Sequence, residues 1–122
     1  MTHQQNDIET ILRINVDGTT MNDYLKIKLD KMMKDLLKVA PDIISLDIFL
    51  TELPGDWRPA RKVSARLTLP SIKFHASDSG YQWKLLLKHV ELRLKRSIDK
   101  RKELLRKQEK GNLVSVQLDP NV

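Results

Sequence analysis

The sequence has no cysteine. That excludes a disulfide framework, a thiolate zinc site, an iron–sulfur cluster and a cysteine nucleophile. Glycine is scarce, with 4 in 122 residues. None of them builds a G-x-S-x-G elbow, a Walker-type phosphate loop or a G-x-G-x-x-G turn. Aromatic residues make up 5%, too few for the paired stacking positions of a sheet that reads single-stranded RNA. Apolar runs are only a few residues long, well short of the roughly 20 that a spanning helix requires. The polar stretch from Met1 to Thr10 lacks the apolar centre of a secretory signal. A cytoplasmic protein with no membrane partner is expected.

What the chain does have is positive charge, concentrated in one place. The formal charge is +6, from 22 basic and 16 acidic residues. Lys84 to Lys110 holds eleven of the basic residues against four acids, a segment charge of +7, so the remainder carries −1. A field this concentrated suits an anionic partner.

The coarse pattern reads β-α-β-β-β-α. Leu12, Ile14 and Val16 alternate with polar residues as in a half-buried strand, closed by Asp17-Gly18. Thr20, three residues before Asp23, resembles a capping-box start. Leu25, Leu29, Met32, Leu36 and Val39 then form one stripe of a helix that Pro41 ends. In a second strand, Ile44, Leu46, Ile48 and Leu50 point one way, and Ser45, Asp47, Phe49 and Thr51 the other. Lys62 to Leu69 alternates strictly, and Ile72, Phe74 and Ala76 form a fourth strand. Ser77-Asp78-Ser79-Gly80 breaks the pattern and can cap the next helix.

That helix is expected over about Tyr81 to Lys107, its seam formed by Trp83, Leu87, Val90, Leu94, Ile98 and Leu105. From Gly111 the sequence has no helical period and reads as an added strand or a loose terminus. The expectation is a single α+β domain over residues 11–110, between a flexible N-terminus (1–10) and a C-terminal tail (111–122). Its four-stranded sheet has two helices packed on one face. The other face would show Arg13, Asn15, Asp47, Thr51, Lys62, Arg66, Lys73 and His75 to water.

No constellation for catalysis emerges, so no enzyme, cofactor or small-molecule substrate is expected. His3, His75 and His89 have no second ligand at metal-binding spacing, and the plain reading is solvent-facing histidines. The basic helix is different because its charges are ordered. At about 100° per residue, Lys84, Lys88, Lys95, Lys102 and Arg106 share a stripe beside the apolar seam. Arg93, Arg96, Lys100 and Lys107 share the opposite flank. Lys26, Lys28, Lys31, Lys34 and Lys38 of the first helix can add to them. Rows of cations suit a phosphate backbone, which needs dispersed charge and little base reading. A solvated surface helix is the alternative, against which stand the scarcity of acids and the order of the stripes. Trp83 belongs to the seam, whereas Trp57 is either exposed or folded back over the core. Phe49 is expected to be half-exposed.

The element order, the Thr20-started first helix, the Phe74-His75-Ala76-Ser77 strand end and the Leu94-Lys95-Arg96-Ser97-Ile98-Asp99-Lys100 stretch resemble the ribosome hibernation factors. This family includes the hibernation promoting factor and ribosome-associated inhibitor A (protein Y), long described as sigma-54 modulation proteins. The resemblance spans Ile11 to Lys107. It implies a cytoplasmic, non-enzymatic protein, monomeric off the ribosome, that binds the ribosomal RNA of the small subunit. There it would block the channel used by transfer and messenger RNA, inhibiting translation in a stress-responsive hibernation. It places the RNA contact at Arg96, with Lys100 and Arg93 near it, and further at Lys28 on the first helix. The departures are Lys84, where the family usually has Tyr, and Lys88, where it usually has Asp; both add positive charge. The connection from Glu52 to Ala60 is also long, and the chain resembles a short or divergent form without the C-terminal dimerisation domain of long members. An RNA-binding set of Lys28, Lys84, Lys88, Arg93, Lys95, Arg96, Lys100, Lys102 and Arg106 follows. A protein-interaction adaptor, docking an acidic partner on the basic helix with Leu85 and Leu92 as apolar anchors, is the alternative.

Overall fold

Alternating sequence becomes sheet wherever one face of a strand can be covered, and four segments do so in the computed structural model. Residues 11–118 are described there, with side chains as far as residue 108. The flexible N-terminus expected over residues 1–10, His3 included, lies outside the described residues, as do residues 119–122. The elements in order are β1 (Leu12–Asp17), α1 (Asp23–Val39), β2 (Ser45–Leu53), β3 (Ala60–Leu69), β4 (Ile72–Gly80) and α2 (Trp83–Leu118). The sheet runs β1-β2-β3-β4. β1 lies parallel to β2, joined by the α1 crossover, and the other pairs are antiparallel.

The register puts one apolar layer under both helices. Leu46 pairs with Leu12 and Leu67, Ile48 with Ile14 and Ala65, and Leu50 with Val16 and Val63. On this layer stand Leu25, Leu29, Met32, Met33 and Leu36 of α1, and Trp83, Leu86, Leu87, Val90, Leu94 and Ile98 of α2, all buried in one cluster. At about 1.5–3 kcal/mol for each large apolar side chain removed from water, this layer is the main source of stability. Gly18 closes β1 with φ +78°, where a Cβ would stand 2.0 Å from the Glu52 carbonyl oxygen. Glycine alone fits there.

Six local expectations are corrected. The cap of α1 is Asn22, whose side chain accepts from the Leu25 N–H at 2.8 Å, and not Thr20. Ile44 precedes the regular strand and is 53% exposed, while Ile43 is buried instead; the parity of two holds only inside the paired segment. Ser77 to Gly80 is strand, because its backbone pairs with Arg61 to Ser64. Leu105 is 44% exposed. Trp83 to Ile98 already spans roughly 22 Å at 1.5 Å per residue, close to the roughly 30 Å of a nine-residue strand, so the helix outruns the sheet before Leu105. Asp47 lies on the open face yet is buried, because Arg13 (2.7 Å) and Arg66 (3.8 Å) close over it. The α2 backbone also continues through Leu118, past the helix end expected near Lys107.

Candidate nucleic-acid interface

α1 and α2 pack side by side on the sheet, and the seam that buries them also fixes a groove between them. Met32 and Leu87 form its floor. Side chains one position or one turn away from a seam residue rim such a floor, as i±3 and i±4 neighbours share a helix face. Here these are Lys28 and Lys31 on one wall and Lys84, Lys88 and Glu91 on the other, around a groove of about 200 Å³. Four lysines thus line one concave strip, with a single acid among them.

Glu91 tempers the field. Its carboxylate sits 2.8 Å from Lys95 Nζ one turn along α2. That hydrogen bond raises the Lys95 pKa above its usual value, with the Glu91 and Asp35 charges adding to the effect against partial desolvation. Lys95 is therefore a charged but engaged cation. Lys28, half-buried at the rim, has its Nζ 5.6 Å from the Tyr24 ring centroid. Lys102 and Arg106 continue the Lys84–Lys88–Lys95 stripe along the exposed part of α2, where neither makes an ion pair among the described residues.

The structure does not bring the whole expected set together. Arg96 and Lys100 are exposed on the other flank of α2. Arg93, on that flank too, donates to the Ser77 carbonyl and so fastens α2 to β4. His89 is not the acid-free histidine that its sequence neighbours suggest. Its Nδ1 lies 2.6 Å from Asp78 Oδ2, because β4 extends far enough to put Asp78, opposite Val63, on the side of the sheet that faces the helices. The His89 hydrogen bond holds the Asp78 pKa below the usual carboxylate value, opposed by partial desolvation and assisted by the Ser79 N–H, the His89 charge and the Arg93 charge. His75 is exposed on the open sheet face.

Of the two placements considered for Trp57, the exposed one holds, and Trp83 is in the seam as expected. Leu85 and Leu92 are exposed on the outer ridge of α2. Sequence reasoning did not single out Glu91 as the acid of the groove, although its i,i+4 spacing to Lys95 was readable. Among the described residues, no group of three or more His, Asp or Glu side chains is placed to hold a metal ion. No described helix is long and apolar enough to cross a membrane.

No family model and no curated protein matches the sequence. Solved structures do share its fold. A ribosomal subunit interface protein from Coxiella burnetii superimposes with a TM-score of 0.61 at 15% identity, over 75% of this chain and 97% of that one. The N-terminal domain of protein Y from Thermus thermophilus gives 0.62 at 12% identity, over 74% of this chain and 97% of that one. Likeness at these identities is likeness of fold.

Proposed function

We propose that this chain is a ribosome-associated factor of the hibernation type, which binds ribosomal RNA of the small subunit through the α1–α2 groove. The convergence of Lys28, Lys31, Lys84 and Lys88 on one groove is the observation that carries the reading. A phosphate backbone is the polyanion best matched to such a strip, since it is bound by dispersed charge and needs no pocket for a base. The choice of the ribosome rather than another RNA rests on the shared fold, since the neighbours named above are a ribosomal subunit interface protein and protein Y.

The mechanism is occupancy. A protein bound along RNA in the channel between head and body of the small subunit excludes transfer and messenger RNA without breaking any bond, so translation stops with no catalytic group. Lys95, Lys102 and Arg106 extend the contact along α2, and Arg93, Arg96 and Lys100 offer a second flank to RNA that wraps the helix. The protein would act in the cytoplasm, as a monomer until it meets the ribosome. Gradient sedimentation with purified subunits tests this. The protein should migrate with the small subunit at low salt, leave it at high salt, and inhibit a reconstituted translation reaction; equal association with both subunits, or association without inhibition, contradicts it.

A further inference from the structure

Trp57 is 98% exposed, the most exposed large apolar side chain among the described residues. It stands in the β2–β3 connection between Pro54 and Pro59, whose rings fix φ on either side. Gly55 packs so closely on the Arg58 carbonyl oxygen that a Cβ would stand 2.1 Å from it. The base of the loop is anchored as well. The Arg58 guanidinium carbon lies 3.9 Å from the Tyr81 ring centroid. Arg61 donates to Glu52 and to the Tyr81 carbonyl, each at 2.9 Å. A held loop thus presents a bare indole.

The surroundings of that indole say what it fits. Gly55, Asp56, Arg58, Ala60 and Tyr81 share with it an opening of about 430 Å³. Two of these lining side chains are charged, Asp56 and Arg58. There is an aromatic face, a guanidinium that can meet a phosphate, and a carboxylate that can accept from the exocyclic amine of a base. We propose that Trp57 is a stacking platform for an unpaired nucleobase of the bound RNA, with Arg58 taking the adjoining phosphate and Asp56 the amino edge. The proposal rests on the RNA-binding reading above and adds a second contact, on a loop, to the helical groove.

The test uses the intact protein and a short oligocytidylate as probe. Trp83 is buried and Trp57 bare, so quenching of the exposed emission reports Trp57 alone. We expect saturable quenching, lost in Trp57→Ala together with about a tenfold drop in affinity for the oligomer, within the range for one stacked base. Thermal unfolding of the variant should match wild type, since the side chain touches no core. If the oligomer binds without quenching and Trp57→Ala binds it equally well, the platform is refuted while the groove reading stands. If Trp57→Ala weakens association with the small subunit but no oligomer quenches the indole, the loop docks a protein and the proposal is likewise refuted. Failure of wild type to bind both oligomer and small subunit overturns the groove reading together with it.

Discussion

Glu91 Oε2 lies 2.8 Å from Lys95 Nζ, one turn apart on α2, at the wall of a groove whose other charged lining groups are all lysines. The pair engages one cation beside a lysine-lined groove and sets an acid in its wall, which on the proposed reading weakens the field felt by a phosphate. Glu91→Gln should therefore tighten RNA binding several-fold. It should also steepen the fall of log K with log salt by about 0.7 to 0.9, one phosphate's worth. A titration of labelled ribosomal RNA by anisotropy across a salt series reads both. Unchanged or weaker binding would mean that Glu91 contributes to the contact, or that the groove is not it.

Leu94 and Leu105 both continue the seam of α2 by period, but only Leu94 has a sheet beneath it. Leu94→Ala should cost about 2–5 kcal/mol, as cavity-forming substitutions do. Leu105→Ala should stay within about 0.5 kcal/mol, as at other exposed positions. Urea midpoints of the two variants check the point, and equal losses would place a partner over Leu105.

The Asp78–His89 contact predicts an acid limb in the stability profile. Asp78 titrates below the usual carboxylate range when folded, so its contribution is complete above that range and fades as pH falls through the lowered value. Asp78→Asn removes the titrating group. As the pH falls below the usual carboxylate value, its urea midpoint should fall less than that of wild type. Parallel curves would show that the contact is not coupled to folding.

Much of this architecture is legible in period alone. Val63, Ala65, Leu67 and Leu69 alternate with polar residues and are buried as read, and the Leu25-Leu29-Met32-Leu36 stripe packs as expected. The misreadings lie where tertiary context overrides local pattern. Ser77-Asp78-Ser79-Gly80 has turn composition, yet β3 supplies backbone partners that hold it extended. Asp47 has the parity of an exposed residue, but Arg13 and Arg66 from neighbouring strands close over it. At the site, the cationic stripe of α2 could be counted from the sequence. Lysines of the first helix could also be expected beside it, but that Lys28 and Lys31 are the two that line the groove could not, because that depends on how the α1 crossover lays the two helices in contact.

The open sheet face offers a control for the groove. Lys62 and Arg66 project from it, and Arg66 also closes over Asp47. Changing both to Ala should weaken RNA binding less than changing Lys84 and Lys88 to Ala, measured by the same anisotropy titration. The reverse ranking would move the binding surface to the sheet.

The central claim is that the α1–α2 groove holds RNA of the small subunit. Replacing Lys28, Lys84 and Lys88 with Glu reverses its charge without touching Met32 or Leu87, at a cost within about 0.5 kcal/mol for each position. Equilibrium binding of purified small subunits across a salt series compares this variant with wild type directly. Wild type should show a log–log slope of about −4 to −7, for six to eight phosphates. The variant, folded by circular dichroism, should bind at least about a hundredfold more weakly, with a slope shallower by about 2 to 3. A folded variant that binds with wild-type affinity and slope would contradict the account.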